Sequence, residues 1–213
     1  MEEEHILYQK LNTMSTLGIM GGTFDPIHMG HLLLAETALS DLELNGILFL
    51  PSGCSYMKNA ENVLDAKHRL RMTELGISGN PDFYLSDMEI KRSGNTYTCE
   101  TLKLLREVLP HTALYFLVGA DCLFSIENWY RPEEILAGCT LVAAVRDGVP
   151  MEKMEAQCGY LAEKYHGDVR LLNFSETAIS STQIRKRIHM GKSIRYMVPD
   201  AVRLYLEEHG LYR

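Results

Sequence analysis

The stretch "TLGIMGGTFDPIHMGH", residues 16–31, decides the fold of this 213-residue chain. It starts as a short apolar run, turns through Gly21 and Gly22 into a loop stiffened by Pro26, and takes up helical spacing near Met29. Strand, glycine turn and helix in this order are typical of chains in which strands and helices alternate. The stretch is neither G-x-G-x-x-G nor a P-loop with its Gly-Lys-Ser/Thr, so both common nucleotide-binding fingerprints are missing here.

The same alternation continues along the chain. Short apolar runs bounded by Gly, Pro, Asn or Asp predict buried strands at 16–20, 46–50, 83–85, 113–118, 140–145 and 169–174. Helical spacing is found at 31–42, 65–77, 98–109, 152–165, 181–190 and 199–210. We therefore expect an α/β fold with a doubly wound, mostly parallel sheet and helices on both faces. Such sheets bind ligands beyond the carboxyl ends of their strands, where the strand order reverses.

The composition argues against nucleic-acid and membrane partners. With a net charge of −7, the chain lacks the general basic surface that binds nucleic-acid phosphates. No apolar run is long enough to span a bilayer. Five scattered cysteines without a Cys-x-x-Cys pair, and an acidic start that is no secretory signal, predict a cytoplasmic protein with reduced thiols. Between residues 180 and 203, six Lys or Arg stand against one Asp, which suits a small phosphorylated ligand or an ordinary solvated helix face.

Two histidines, His28 and His31, lie three residues apart at the predicted start of the first helix after the glycines. Their side chains should share one face of the first helical turn, where unpaired N–H groups and the helix dipole favour anions. Histidines there can donate hydrogen bonds to phosphate and can be charged near neutral pH. A metal site and a purely structural pair are the alternatives, although no third His or Cys lies nearby in the sequence.

A second anion site is predicted where "AISSTQIRKRI", residues 178–188, follows the last strand. Ser180, Ser181 and Thr182 supply hydroxyls at a probable helix start, and Arg185 lies one turn further along the same face. Helix caps of this kind are common and often only structural. Two helix N-termini at one edge of a sheet, however, could hold both sides of a polyphosphate.

Several stretches together resemble a known family. "GGTFDPIHMGH" (21–31) and "ISSTQIR" (179–185) resemble the HxGH nucleotidyltransferase superfamily. "GNTYTCETL" (94–102), "LVGAD" (117–121), "NWYRPEEIL" (128–136) and "YMVPDAVRLYLEEHGLY" (196–212) are similar to its bacterial nicotinate-nucleotide adenylyltransferases. The resemblance implies a Rossmann-like fold and one nucleotidyltransferase domain over residues 15–213, helical from about 180. Residues 1–14 would be an N-terminal extension.

The resemblance implies adenylyl transfer from ATP to nicotinate mononucleotide in NAD biosynthesis, giving deamido-NAD and pyrophosphate. The acceptor phosphate would attack the α-phosphorus in line, without a covalent enzyme intermediate, so catalysis would rest on positioning and charge stabilisation. Mg²⁺ would be the cofactor, held mainly by the ATP phosphates with no dedicated protein ligands. A homo-oligomer is left open.

The resemblance also assigns roles to individual residues. His28, His31 and Arg185 would be catalytic, with the histidines at the α-phosphate. The residues implied in ATP binding are Gly21, Gly22, Thr23, His31, Asp121, Arg146, Ser181, Thr182 and Arg185. Those implied in nicotinate mononucleotide binding are Lys58, Thr98, Trp129 and Tyr130, with Trp129 stacked on the pyridine ring. Simpler roles are open: Asp121 could cap a helix, Thr98 could merely precede one, and Trp129 could be a packing anchor.

One loop departs from the family pattern. Relatives commonly carry Pro-Pro-His-Lys after the second strand, where this chain has "PSGCSYMKN", residues 51–59. Lys58 matches the family lysine, but Met57 replaces the histidine and cannot donate a hydrogen bond. Lys58 and the Ser52 hydroxyl are then the candidates for holding the acceptor phosphate. This difference leaves open a sibling transferase with another acceptor, such as nicotinamide mononucleotide or a phosphopantetheine-type substrate. A nucleotide-binding regulatory module without turnover is a separate alternative, and the presence of both histidines and of Thr182 with Arg185 argues against it.

Overall fold

The structure, a computed structural model, describes residues 2–55, 63–145, 149–174 and 178–213. A six-stranded sheet in the order β4-β2-β1-β6-β7-β8 forms its centre, and every neighbouring pair is parallel. The strands are β1 (Thr16–Gly22), β2 (Ile47–Pro51), β4 (Phe83–Leu85), β6 (Ala113–Gly119), β7 (Thr140–Ala144) and β8 (Val169–Leu172). A small parallel pair joins β3 (Cys54–Ser55) to β5 (Asn95–Thr96). The predicted doubly wound α/β fold is confirmed.

Helices cover both faces of the sheet. They are α1 (Glu2–Leu11), α2 (Met29–Asp41), α3 (Ala66–Ile77), α4 (Thr98–Val108), α5 (Ala120–Ser125), α6 (Pro132–Gly138), α7 (Met151–Tyr165), α8 (Ser181–His189) and α9 (Asp200–Glu208). A short 3₁₀ helix spans Ile126–Asn128. No helix in the described part of the chain is long and apolar enough to cross a membrane.

The core divides into two layers because successive side chains of a strand point to opposite faces. In β2, Leu48 and Leu50 pack on the face covered by α1 and α4–α7, whereas Ile47 and Phe49 pack on the face covered by α2, α3, α8 and α9. All four are at most 1% exposed. Strands buried on both faces explain why the sequence shows continuous apolar runs rather than alternation.

The order of the strands fixes where a ligand can bind. From β1 the chain moves outward through β2 and β4, then returns to place β6 on the other side of β1. The strand order therefore reverses between β1 and β6, and the gap beyond their carboxyl ends is the expected binding crevice. Gly21 and Gly22 end β1, and Gly119 ends β6.

Candidate active site

The loop between β1 and α2 is held by buried side chains. Phe24 is 2% exposed with φ of 49°, and Asp25 is 4% exposed, so the loop turns inward rather than into solvent. His28 then adopts an extended conformation and forms the N-cap of α2. This places His31 one turn into the helix, as the spacing predicts.

The two histidine rings form one unit. Their centroids are 3.7 Å apart with a 23° angle between the ring planes, and the Phe24 ring meets His31 edge-on at 5.1 Å. The backbone N–H of His28 donates to Nδ1 of His31 at 3.3 Å, which leaves Nε2 to carry the proton in the neutral His31 ring. The paired spacing therefore produces a stacked imidazole pair at the helix N-terminus.

The two rings differ in their surroundings. His28 is 7% exposed, and its Nδ1 is buried without a hydrogen-bond partner. Burial lowers the pKa of His28 to about 4. The expectation that both histidines can be charged near neutral pH is therefore wrong for His28 before a ligand binds, because a buried imidazolium has lost its water without gaining an anion.

A large cleft opens at the carboxyl ends of β1, β6 and β7, with a volume of about 440 Å³. His28, His31 and Asp121 line it together with the backbone of Gly21 and Gly119. Gly119, not Asp121, is the N-cap of α5, so the helix-cap alternative for Asp121 is wrong by two residues. Asp121 lies instead in the first turn of that helix, at the cleft wall.

A small cleft of about 140 Å³ adjoins the large one and is lined by Gly22, Thr23, Ser52, Glu89 and Thr98, among others. The two clefts share Gly21, Phe116 and Trp129 in their walls. Thr98 is the first residue of α4, so the small cleft lies at the N-terminus of that helix. Gly22 and Thr23, predicted to bind ATP, line this small cleft and not the large one.

Trp129 stands at the boundary between the clefts. Its ring meets Phe116 edge-on at a centroid distance of 6.3 Å, and its backbone N–H closes the 3₁₀ helix by donating to Ile126. Tyr130 does not line either cleft; it is 42% exposed and packs on Tyr97 at 4.5 Å between ring centroids. The structure therefore brings Trp129, but not Tyr130, to the predicted site.

The predicted second anion site is joined to the first loop. Ser180 caps α8 by accepting from the Gln183 N–H, and the Ser181 hydroxyl donates to the Pro26 carbonyl at 2.9 Å. Arg185 Nη1 donates to the Asp25 carbonyl at 2.7 Å, and Nη2 donates to the Thr182 hydroxyl at 3.4 Å. Ser180 lines the large cleft, whereas Ser181, Thr182 and Arg185 do not form part of its wall.

Sequence reasoning missed a buried arginine, Arg69, which contacts both the loop after β1 and the loop after β2. Arg69, on α3, is 2% exposed and donates to the carbonyls of Thr23 at 2.8 Å, Ser52 at 2.7 Å and Leu64 at 3.0 Å. Burial lowers the pKa of Arg69, although Asp25 opposes this shift. Nothing in the helical spacing of α3 distinguishes Arg69 from the exposed Arg71 two residues later.

A half-buried carboxylate in the small cleft, that of Glu89, was also missed. Glu89 accepts a hydrogen bond from the Thr101 hydroxyl at 2.7 Å and a further one from Thr96. Burial raises the pKa of Glu89, while these hydroxyls, the backbone of Gly53 and the charge of Arg92 oppose the increase. The Ser52 hydroxyl, in contrast, is buried in the same cleft without a hydrogen-bond partner.

Three predicted or discussed residues cannot be located. Met57, Lys58 and Arg146 lie outside the described residues.

The fold and the cleft define a nucleotidyltransferase. A family model described as cytidylyltransferase-like matches residues 19–187, and the chain belongs to this family, in its nicotinate-nucleotide adenylyltransferase branch. The resemblance predicted from the sequence is thereby confirmed.

Curated relatives support the branch. A protein of Lachnoclostridium phytofermentans, named probable nicotinate-nucleotide adenylyltransferase, is 45% identical over 199 residues, covering 93% of this chain and all of the relative. A Dehalococcoides mccartyi protein of the same name is 43% identical over 199 residues, covering 92% of this chain and 96% of the relative.

Solved structures support the fold. A nicotinic acid mononucleotide adenylyltransferase of Plasmodium falciparum, solved with NaAD, is similar with a TM-score of 0.76, at 22% identity over 93% of this chain and 97% of its own. A putative nicotinate-nucleotide adenylyltransferase of Vibrio parahaemolyticus has a TM-score of 0.67, at 24% identity over 94% and 96% of the two chains.

Proposed function

We propose that this protein transfers the adenylyl group of ATP to nicotinate mononucleotide, giving deamido-NAD and pyrophosphate, in NAD biosynthesis. The observation that carries the proposal is the meeting of two clefts at Gly21, Phe116 and Trp129, with the histidine pair on the wall of the larger one. Two nucleotides bound in adjoining clefts would bring their phosphates together at this boundary. The names of the curated relatives support the same pair of substrates.

ATP would occupy the large cleft. Asp121 would accept hydrogen bonds from the ribose hydroxyls, and Gly21 would let the backbone approach the ligand without a side chain in between. Ser181, Thr182 and Arg185 would hold the β- and γ-phosphates at the N-terminus of α8. Arg146 is proposed for the adenine side on the family resemblance alone.

Nicotinate mononucleotide would occupy the small cleft, with Trp129 against the pyridine ring. Thr98 begins α4, so N–H groups of its first turn would receive the nicotinate carboxylate. Such donors favour a carboxylate over an amide, whose NH₂ would meet another donor. The unpartnered Ser52 hydroxyl and Lys58 are the proposed contacts for the acceptor phosphate, and Tyr130 supports the pocket from its position beside Tyr97.

In the proposed reaction an acceptor phosphate oxygen attacks the α-phosphorus, the bond to the bridging oxygen breaks, and pyrophosphate leaves. His28 and His31 would donate hydrogen bonds to the α-phosphate as its charge is redistributed. Arg185 would stabilise the charge on the departing pyrophosphate.

A divalent ion, Mg²⁺ in our proposal, would neutralise phosphate charge when bound with ATP. Among the described residues no group of three or more His, Cys, Asp or Glu could hold a metal ion. In this proposal the ligands of the ion are mostly phosphate and water oxygens, the arrangement that Mg²⁺ favours.

In domain terms, we propose that residues 15–213 act as one nucleotidyltransferase domain with a helical C-terminal part from about residue 180. Residues 1–14 would then be an extension that takes no direct part in catalysis.

Pyrophosphate release tests the function directly. The protein is incubated with ATP, Mg²⁺ and one acceptor at a time: nicotinate mononucleotide, nicotinamide mononucleotide or phosphopantetheine. We expect turnover with nicotinate mononucleotide to exceed that with either other acceptor. A preference for one of the others would assign a sibling transferase, and tight ATP binding without turnover of any acceptor would assign a regulatory module.

A further inference from the structure

The buried carboxylate of Asp25 is shared between two side chains. The Tyr212 hydroxyl donates a short hydrogen bond to Oδ1 of Asp25. Arg185 Nη1 lies 3.7 Å from Oδ2 and donates at 2.7 Å to the backbone carbonyl of the same residue. Asp25 thus links the penultimate residue of the sequence to the arginine beside the large cleft.

The other nearby cation cannot take up the carboxylate. Arg69 acts on Asp25 electrostatically, but its three guanidinium nitrogens donate to backbone carbonyls of Thr23, Ser52 and Leu64. Moving Arg69 would break three hydrogen bonds from its guanidinium to backbone carbonyls, and bonds from a charged donor are stronger than neutral ones. Arg185, whose side chain is 33% exposed, is the cation that can move.

We propose that Tyr212 is a positioning residue that occupies the Asp25 carboxylate and so keeps the Arg185 guanidinium available to a polyphosphate. The inference rests on the proposed function, because it assumes that Arg185 binds the leaving phosphates. A guanidinium has five N–H donors. Within the described residues, Arg185 uses two of them, one for the Asp25 carbonyl and one for the Thr182 hydroxyl. Arg185 already contacts the loop through the Asp25 carbonyl, and a closer ion pair with Oδ2, now 3.7 Å away, would take up a further donor and part of its charge.

Tyr212 is suited to this role. Burial first, and the Asp25 carboxylate second, raise the pKa of its phenol, so the hydroxyl stays protonated and remains a donor. Leu211 and Tyr212 pack on the core face formed with α9, and the Leu211 N–H donates to Leu206 at 3.1 Å. Tyr212 is therefore anchored where its hydroxyl can reach Asp25 in the loop between β1 and α2.

Binding of inorganic pyrophosphate, measured by calorimetry without any acceptor, tests the inference. Tyr212→Phe removes the hydroxyl and keeps the ring; we expect pyrophosphate and ATP to bind about tenfold more weakly, since a hydrogen bond to a charged group is lost and Arg185 is diverted. The matched control is Tyr205→Phe, which removes a hydroxyl bonded to His68 at 2.8 Å and should leave both affinities unchanged. Unchanged binding by Tyr212→Phe would overturn the inference.

Rescue by Asp25→Asn separates positioning from mere support of the fold. Without its charge, residue 25 no longer competes for Arg185. The Asp25→Asn variant alone should therefore bind pyrophosphate within about threefold of the wild type. The double variant, Asp25→Asn with Tyr212→Phe, should regain most of the affinity that Tyr212→Phe loses. A large loss in Asp25→Asn alone, or no rescue in the double variant, would overturn the inference. Turnover of nicotinate mononucleotide by the wild-type protein is measured separately. An absence of turnover would count against the proposed function, whereas the pyrophosphate affinities of the variants decide the role of Tyr212.

Discussion

His28 and His31 stack with ring centroids 3.7 Å apart, and the backbone N–H of His28 donates to Nδ1 of His31. One ring is therefore oriented by the backbone that carries the other. His28 is buried with a free Nδ1, while His31 is half-buried at the cleft wall. This arrangement holds both imidazole rings in a fixed relation at a helix N-terminus, where the proposed reaction would place the α-phosphate.

His31→Ala should lower turnover far more than ATP affinity. We expect kcat to fall about 10²–10³-fold while the Kd for ATP changes less than about threefold, because the ring acts on charge that is redistributed in the transition state. Steady-state rates and calorimetric ATP titrations measure the two effects. His111→Ala, at an exposed position outside both clefts, is the control. Equal losses in rate and affinity would indicate simple ground-state binding.

Binding of ATP should change the protonation of His28. With a pKa of about 4 the free ring is neutral at pH 5.5, and a polyphosphate beside it would favour the charged form. We expect uptake of up to about one proton on ATP binding at this pH, measured by calorimetry in buffers of different ionisation enthalpy. His28→Asn should abolish the uptake; an unchanged value would place the proton elsewhere.

The same depressed pKa makes stability depend on pH. Between the ordinary value of 6.5 and about 4 the unfolded chain binds a proton at His28 that the folded protein does not. The free energy of unfolding should therefore fall as the pH is lowered from 6.5 to 4, by up to about 3 kcal/mol from this residue. Urea unfolding of the wild type and of His28→Asn across this range measures it, and equal slopes for the two proteins would contradict the assignment.

Arg185→Ala should weaken binding of both ATP and pyrophosphate, by about ten- to a hundredfold, because a charge-assisted contact to the leaving phosphates is lost. Lys186→Ala, the exposed neighbour on the same helix, controls for the loss of one positive charge near the cleft. Pyrophosphate competition against ATP gives both affinities. If pyrophosphate binding survived in Arg185→Ala, the second anion site would need another cation.

Gly21→Ala should block the site without harming the fold. A Cβ at this position would lie 3.6 Å from the Phe116 ring, an ordinary contact, so the space it fills is that of the two clefts. We expect substrate affinity to fall about tenfold or more, because the methyl group would keep the ligand from approaching the backbone, with the melting temperature unchanged. Gly159→Ala is the control: its Cβ would meet nothing within 4 Å inside α7, so it should preserve activity and add about 0.5–1 kcal/mol of stability.

The sheet was predictable because buried parallel strands leave short continuous apolar runs, and the helices between them leave a helical period. All six predicted strands and all six predicted helices are confirmed, mostly within two residues at each end. The shorter elements α5 and α6 were missed because six or seven residues hold too few turns to show a period. Glycines, histidines and serines at strand ends pointed to the site, whereas Arg69, Glu89 and Tyr212 act through contacts between residues distant in sequence and left no local pattern.

Helix α1 was missed for a different reason, since its acidic, weakly amphipathic sequence resembles a solvated tail. In the structure Leu11 is fully buried in the core layer shared with α4 and α6, and the Thr112 hydroxyl donates to the carbonyls of Leu11 at 3.3 Å and Met14 at 2.9 Å. Leu11→Ala should therefore destabilise the protein by about 2–5 kcal/mol, as other buried leucine truncations do. Ile6→Ala, on the same helix but 59% exposed, should change stability by less than about 0.5 kcal/mol. Urea unfolding of the two variants decides: a small effect of Leu11→Ala would mean that α1 is dispensable to the core.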